Sequence, residues 1–385
     1  MKDTYIYLDN SATTKPYDEV LHTFIEVNKH YYANPASIHA FGVEVNELLN
    51  AARSQIAGIL QTEPQNVLFT AGGTESNNFA IFGIAKENPH IGKHIITTEI
   101  EHASVLEAVK TLQKDGYEVD FLSVNREGVI SLEELRKKIR KDTVLVSMMH
   151  VNNEIGSIQP IEEAANIIHE NSRAIFHVDA VQSFGKMKVK FNGKKGPDIL
   201  SISGHKIHGL KGTGIIAFQR KLKISPFIVG GGQEFGLRSG TVPVPQAVSL
   251  AKAMRMAEEN LHENNAKFKK WHDDLLDFLA TFKEHIHLLS SKNGAPHIVS
   301  FSVKDLKGEI IINALQKQHV YVSTSSACSS RQKKTSHVVE ALNIEAPFKD
   351  GVIRISFGAK NTDEEIQKFK KVFTEIMKEL KGVNK

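Results

Sequence analysis

The amino-acid sequence predicts an α/β protein in which a large, mostly parallel sheet is followed by a smaller α+β domain. In the first two thirds of the chain, short apolar runs alternate with segments of helical periodicity, which is typical of parallel sheets covered by helices. The runs are nearly continuous in Val and Ile, as strands buried on both faces are. After Pro243-Val244-Pro245 the pattern changes to one long helical stretch, and this change indicates a second domain.

The predicted elements of the large domain follow each other regularly. A short strand at 4–8 ends at Asp9-Asn10-Ser11, and apolar residues spaced by three and four predict a helix at 43–60. Further strands are predicted at 67–70, 94–98, 118–122, 143–148, 174–178, 199–202 and 214–218, and helices at 76–87, 103–115, 131–140 and 160–170.

The last third of the chain combines a few strands with long helices. A helical stretch covers 247–279, strands are predicted at 298–303, 320–323 and 352–357, and helices at 307–318 and 363–381. We place the domain boundary near residue 255. The expected parts are an N-terminal segment, 1–15, that packs with the small domain, a large domain at 16–255 and a small domain at 256–385.

Composition excludes several classes of protein. The 385 residues carry a net charge of +4, which is too small and too dispersed to indicate nucleic-acid binding. No run of about 18 apolar residues predicts a membrane span, and the N-terminus lacks the apolar core of a signal peptide. A single cysteine rules out an intramolecular disulfide. We therefore expect a cytoplasmic protein. The 18 histidines show no spacing typical of metal ligands, so the sequence does not predict a metal site.

Polar residues cluster where predicted strands end, and ligands of open α/β sheets bind at the carboxyl ends of strands. The segment 69–78, a strand end, a glycine turn and a helix start, could bind an anion, although in isolation a plain βα turn with Thr74 as N-cap is the favoured interpretation. His102 is either a surface histidine or a neutral ring that stacks on a ligand and moves protons. The amides of Asn152-Asn153 either contact a ligand or form hydrogen bonds within their own turn.

Charged residues at two further strand ends point to a heterocyclic ligand. Asp179 follows an apolar strand, where a carboxylate would be desolvated unless it pairs with a cation such as a ring N–H⁺. The alternative is that Asp179 is the N-cap of a helix. Gln182 follows within reach. Lys206 follows a small polar run, and desolvation there would make its amine a nucleophile for carbonyl carbons, whereas an isolated loop lysine would simply be solvated.

Three later segments carry groups that could bind or react. The glycine-rich stretch 230–241 is either a flexible loop or a contact to a partner subunit. Cys328 stands among hydroxyl and cationic residues, which favours an accessible nucleophile over a buried small hydrophobe. Arg354 points away from the apolar face of its strand and suits bidentate capture of a carboxylate, although a surface salt bridge would look the same.

As an ordered set these segments resemble the cysteine desulfurases, pyridoxal-phosphate (PLP) enzymes of the class V aminotransferase family that take sulfur from L-cysteine. The resemblance runs from residue 7 to about residue 360 and is strongest to the branch that serves iron–sulfur assembly and tRNA thiolation. The segments that carry it are His150-Val-Asn-Asn-Glu-Ile-Gly, His177-Val-Asp-Ala-Val-Gln-Ser, Ser203-Gly-His-Lys, Arg238-Ser-Gly-Thr and Ser325-Ser-Ala-Cys.

The resemblance implies the aspartate aminotransferase-like fold (fold type I) of PLP-dependent transferases and a role for each site residue. Lys206 holds PLP as a Schiff base and moves the Cα proton, Asp179 pairs with the pyridinium nitrogen, and His102 stacks on the ring and handles the thiol proton. The resemblance also implies that Gln182 and Asn153 contact the ring or substrate, and that the phosphate is bound by Gly73, Thr74, Ser203 and His205. It implies a homodimer in which Thr241 reaches the phosphate of the other subunit. The substrate carboxylate is expected to bind Arg354 together with Asn34.

The implied reaction yields L-alanine and a persulfide on Cys328, which passes its sulfur to an acceptor protein. The chain departs from the family pattern at Gly72 and Val181, and it ends at Lys385 without the longer tail of the housekeeping members. This ending favours a dedicated acceptor, such as a tRNA thiolation enzyme, over an iron–sulfur scaffold. A selenocysteine lyase or cysteine lyase-like enzyme and a non-catalytic protein with the same fold remain as alternatives.

Overall fold

The structure, a computed structural model, describes residues 5–191, 195–324 and 336–382. Its strands are β1 (Ile6–Tyr7), β2 (Val67–Thr70), β3 (His94–Thr98), β4 (Glu118–Leu122), β5 (Thr143–Met149), β6 (Ile175–Asp179), β7 (Ile199–Ser203), β8 (Gly214–Phe218), β9 (Ile286–Leu288), β10 (Ile298–Val303), β11 (Val320–Tyr321) and β12 (Val352–Ser356). Its helices are α1 (Asp18–His30), α2 (Ala40–Leu60), α3 (Gly73–Glu87), α4 (Ala103–Lys114), α5 (Leu132–Lys138), α6 (Ile161–Asn171), α7 (Val244–Glu259), α8 (Leu261–Ala280), α9 (Gly308–Lys317), α10 (His337–Ala341) and α11 (Asp363–Lys381).

A seven-stranded sheet forms the centre of the large domain, in the order β2-β8-β7-β6-β5-β3-β4. The pairs from β4 through β7 are parallel, and β8 runs antiparallel to β7 and β2. This arrangement confirms the predicted α/β fold with a mostly parallel sheet. Because the parallel strands point the same way, the residues that follow β3, β5, β6 and β7 meet at one edge of the sheet.

Two apolar clusters cover the faces of this sheet. One packs α2, α6 and α7 against the sheet around Phe176 and Leu200, and the other packs α3 and α4 around Phe79 and Leu145. The residues of β5, β6, β7 and β8 are all buried. Their Val- and Ile-rich sequences therefore reflect burial on both faces, as expected for strands covered by helices on each side.

A second core forms around the three-stranded sheet β12-β10-β9. It contains Trp271 and Leu275 of α8 and Phe369 and Phe373 of α11. Strand β1 pairs in parallel with β11, and Ile6 packs in the same core. This packing supports the proposed association of segment 1–15 with the small domain. The boundary near residue 255 stays a proposal; it falls inside α7, whose buried residues belong to the large-domain core.

The helices differ from the predicted ones at a few places. The long stretch after residue 247 is two helices, because Asn260 adopts φ −98° and ψ 6° between α7 and α8. Two helices were not predicted: α1, which buries only Val20 and Val27, and the five-residue helix α10. Within the described ranges, no helix combines the length and apolar character that crossing a membrane requires.

Candidate functional site

The carboxyl-terminal edge of the large sheet brings together side chains from several strand ends. Asp179 is the last residue of β6, and Ser203 is the last residue of β7. Lys206 lies in the short 3-10 turn that follows β7, and His102 caps the N-terminus of α4 after β3. Four of the residues singled out from the sequence therefore lie on one edge because they follow neighbouring strands.

Asp179 is buried and held by two N–H donors. Its Oδ2 accepts a hydrogen bond from Asn77 Nδ2 at 2.7 Å, and its Oδ1 accepts one from the main-chain N of Val181 at 2.9 Å. Among the described residues, no lysine or arginine forms an ion pair with it. A buried carboxylate without a counter-charge is costly, so this position favours a ligand that brings a positive charge.

His102 is fixed in one tautomer by the start of α4. Its Nδ1 accepts a hydrogen bond from the main-chain N of Ser104 at 3.1 Å, so the neutral ring carries its proton on Nε2. Burial lowers the pKa of His102, Lys206 lowers it further, and Asp179 opposes the change. Ser104 Oγ lies 2.8 Å from Nδ1 and accepts from Asn77 Nδ2 at 2.9 Å. One hydrogen-bonded chain thus links His102 to Asp179.

The amine of Lys206 contacts the segment that follows β1. Its Nζ donates to the carbonyl oxygens of Ser11 and Ala12, the latter at 2.9 Å. Gln182 Nε2 donates to the same Ser11 oxygen at 2.9 Å. His205 Nδ1 lies 3.1 Å from Thr13 Oγ1, and burial together with nearby lysines lowers the pKa of His205 to about 4. The imidazole of His205 is therefore neutral near pH 7.

The glycine turn before α3 lies against the end of β7. Gly72 has φ +147°, and a Cβ on Gly73 would lie 2.7 Å from Val181 Cγ2 and 3.6 Å from Ser203 Cβ. Ser203 Oγ is buried and has no hydrogen-bond partner within the described residues. The exposed Thr74 adds a hydroxyl at the first turn of α3. Main-chain N–H groups and hydroxyls gathered at a helix N-terminus can bind an anion.

Arg354 lies in β12 and is 3% exposed. Its Nη2 donates to Asp9 Oδ1 at 2.7 Å and its Nη1 donates to the main-chain oxygen of Asn153 at 2.9 Å, while its buried Nε lacks a partner among the described residues. Burial raises the pKa of Asp9, although the guanidinium opposes this change. Asn153 thus reaches the site through its main chain.

Two predicted site residues lie apart from this arrangement. Asn34 is exposed in the turn before α2, where its Oδ1 accepts from the main-chain N of Ala36 at 2.9 Å, and the structure does not bring it into contact with Arg354. Thr241 is exposed on the loop before α7. Within this one chain, neither residue contributes to the edge of the sheet described above.

Cys328 lies outside the described residues, but the described residues on both sides of it lie beside the site. The main chain of Ser323 pairs with Arg354 through hydrogen bonds of 3.2 and 2.7 Å. Ser336 Oγ donates to Glu154 Oε2 at 2.6 Å, and His337 Nε2 lies 2.9 Å from the main-chain oxygen of Glu101, next to His102. Ser323, before Cys328 in the chain, therefore lies beside Arg354, and His337, after it, lies beside Glu101 and His102.

Sequence reasoning missed several residues that hold the site. Asn77 and Ser104 connect His102 to Asp179, and Asp9 pairs with Arg354. Asn77 and Ser104 each lie within the first helical turns after a predicted strand end, and this position is the signal that could have identified them. Asp9 carries the same signal, because it follows the predicted strand at 4–8, but its pairing with Arg354, 345 residues away in the chain, could not be seen in the sequence.

Comparison with known proteins adds three findings. The family model for class-V aminotransferases matches residues 6–369. The chain is 36% identical over 374 residues to cysteine desulfurase IscS 1 of Archaeoglobus fulgidus, with 97% of each chain covered. Among solved structures, a NifS-like protein superposes with a TM-score of 0.91 at 38% identity, and the match covers 98% of this chain and all of the other. The structure of SspA in complex with cysteine superposes with a TM-score of 0.78 at 31% identity, and the match covers 91% of this chain and 98% of the other.

Proposed function

This chain belongs to the class-V aminotransferase family, and on that premise we propose that it is a pyridoxal-phosphate-dependent cysteine desulfurase. In the proposed reaction the sulfur atom of L-cysteine leaves Cβ and joins Sγ of Cys328, so that L-cysteine and one thiol give L-alanine and one persulfide. The observation that carries the proposal is a set of buried polar atoms near Asp179 and the end of β7 that have no hydrogen-bond partner among the described residues, namely Asn77 Oδ1, Gln182 Oε1 and Ser203 Oγ.

The residues present fit the coenzyme. Asp179 offers a buried negative charge to a pyridinium N–H, and Lys206 offers an amine to an aldehyde. The glycine turn with Gly73, Thr74, Ser203 and His205 offers N–H and O–H donors to a phosphate, while Gln182 and Asn153 would contact the ring. When bound, pyridoxal phosphate supplies the electron sink that stabilises negative charge at the substrate Cα.

The protein's own residues would move the protons. His102 Nε2 is the ring nitrogen not engaged by Ser104, and in the neutral ring, which the lowered pKa favours, it carries the proton and can donate it to the sulfur of the substrate. We assign it to the substrate thiol proton. Lys206 lies on the neighbouring turn, and we assign its amine to the transfer of the Cα proton. Arg354 would hold the substrate carboxylate. Asn34, which is exposed and apart from Arg354 within this chain, stays a predicted second contact to that carboxylate.

The sulfur would pass from Cys328 to an acceptor protein, either an iron–sulfur scaffold or a tRNA thiolation enzyme. The described residues on either side of Cys328 adjoin Arg354 and His102, which supports its access to a bound substrate. We also propose a cytoplasmic location, because a nucleophilic thiol that is the chain's single cysteine requires a reducing compartment.

We further propose a homodimer in which Thr241 reaches the phosphate of the partner subunit's coenzyme. Large apolar side chains are exposed on the loops around α2 and on the glycine-rich loop, with Ile38 99% exposed and Val229 81% exposed. Exposed apolar clusters of this kind mark protein interfaces. We expect light scattering to give twice the chain mass of 42.8 kDa. The Val229→Glu variant should shift the protein toward monomer. The same substitution at the exposed Val43 of α2 serves as the comparison variant.

An anaerobic assay with ³⁵S-labelled L-cysteine tests the proposed activity. We expect one alanine released per sulfur transferred, with label bound to the protein and released by dithiothreitol. The coenzyme is supplied in excess, and D-cysteine serves as the control substrate because it reverses the position of the Cα proton. Absence of alanine from a preparation that carries the bound coenzyme would contradict the proposal. Adding candidate acceptors to the labelled protein then separates the two acceptor classes.

A further inference from the structure

The guanidinium of Arg354 is only partly engaged by the protein. The guanidinium has five N–H groups. One donates to Asp9 and one to the main-chain oxygen of Asn153, and Nε has no partner among the described residues. An unpaired N–H on a side chain that is 3% exposed is costly. The arrangement is therefore incomplete without a further acceptor on the Nε side.

Asp9 already binds one of the two guanidinium nitrogens that a carboxylate ligand would use. Nε and Nη2 lie on the same edge of the planar guanidinium, and a carboxylate that binds this edge with both oxygens contacts both nitrogens. Nη2 already donates to Asp9 Oδ1 at 2.7 Å. An arriving carboxylate would thus meet a second negative charge on the same guanidinium, and like charges at this range repel strongly.

The same short segment also contacts Lys206. We call residues 9–12 the N-terminal strap. Ser11 and Ala12 accept hydrogen bonds from Lys206 Nζ through their main-chain oxygens, and Ser11 N donates to Ser356 Oγ at 2.8 Å. The strap therefore joins the guanidinium of Arg354, in the small domain, to the amine that follows β7 in the large domain.

We propose that Asp9 is a positioning residue that takes the place of the substrate carboxylate on Arg354 and so weakens the binding of amino acids. This inference rests on the proposed function, because it requires Arg354 to bind the carboxylate. In the absence of substrate, Asp9 neutralises the buried guanidinium and holds it against Asn153. When an amino acid binds, its carboxylate takes the Nε and Nη2 edge and Asp9 gives up its contact.

The test compares ligands that have and lack a carboxylate. Asp9→Asn keeps the shape of the side chain and removes its charge. We expect the Kd of the holoenzyme for L-alanine, measured from the absorption of the coenzyme, to fall about tenfold, because the competing charge is gone. The Kd for L-alaninamide, which has no carboxylate, stays unchanged. Asp274→Asn, which removes the charge of an ion pair with Lys370 elsewhere in the small domain, leaves both values unchanged.

Thermal unfolding separates this role from a purely structural one. We expect Asp9→Asn to lower the unfolding temperature without ligand, since Arg354 loses its counter-charge, and L-alanine to restore more stability to the variant than to the wild type. Weaker or unchanged binding of L-alanine in Asp9→Asn would overturn the proposal. Asp9→Ser provides the same comparison if the asparagine variant fails to fold.

The Arg354→Gln background separates failure of this inference from failure of the proposed function. With Arg354 replaced, we expect L-alanine to bind more weakly and Asp9→Asn to have no further effect on its Kd. If Arg354→Gln leaves the Kd for L-alanine unchanged, the assignment of Arg354 to the carboxylate is wrong. If Arg354→Gln weakens binding but Asp9→Asn does not strengthen it, only the role of Asp9 is wrong.

Discussion

Replacement of Lys206 by alanine is expected to abolish covalent attachment of the coenzyme and to lower alanine release about 10³-fold or more, because both the attachment point and the group assigned to the Cα proton are lost. Lys206 lies in the turn after β7, with its Nζ near the end of the strap. Borohydride reduction of the wild type, followed by peptide mapping, should find the coenzyme on the peptide that contains Lys206.

A second lysine makes this experiment discriminating. Lys186 is fully buried, its Nζ has no hydrogen-bond partner among the described residues, and burial lowers its pKa to about 7. It lines the same small cavity, of about 20 Å³, as Lys206. An amine with such a pKa is also a nucleophile, so coenzyme trapped on Lys186 would contradict the assignment. The exposed Lys211 provides the matched control, and Lys211→Ala should change neither attachment nor activity.

Most of the fold could be predicted from the sequence, because its strands are marked by local patterns. The seven strands of the large sheet begin and end within one residue of the predicted bounds, since most of them are apolar runs bounded by polar or glycine residues. Helix starts were less accurate. Helix α3 begins at Gly73 instead of residue 76, because its first turn is the polar glycine segment that carries no apolar periodicity.

The candidate site could be predicted only in part, because its contacts join distant parts of the chain. Strand ends are visible in a sequence, so Asp179 and Lys206 could be singled out from their positions alone. The partner of a strand-end residue is not visible: Asn77 lies 102 residues from Asp179, and Asp9 lies 345 residues from Arg354. Such pairs depend on the order of strands in the sheet and on the packing of two domains, which local patterns do not encode.

Replacement of Cys328 by serine is expected to abolish the protein-bound persulfide and to lower alanine release from L-cysteine about 100-fold or more, because a serine hydroxyl is a poor nucleophile at neutral pH and a thiolate is a good one. Cys328 is the chain's single cysteine, so a persulfide on the protein can form at no other residue. Mass spectrometry after incubation with L-cysteine should show one added sulfur, 32 Da, on the wild type and none on the variant.

The variant also separates sulfur transfer from substrate binding. The groups assigned to the coenzyme and to the substrate carboxylate lie on Lys206, Asp179 and Arg354, so Cys328→Ser should still change the coenzyme spectrum when L-cysteine binds. Ser329→Ala is the neighbouring control and should keep full activity. If alanine release from L-cysteine persists in Cys328→Ser, the leaving sulfur does not need the thiol, and a lyase that releases sulfur or selenium directly becomes the better description. A bound substrate with no alanine instead places the lost step at transfer of sulfur to Cys328, because only that step requires a nucleophile at the substrate's sulfur.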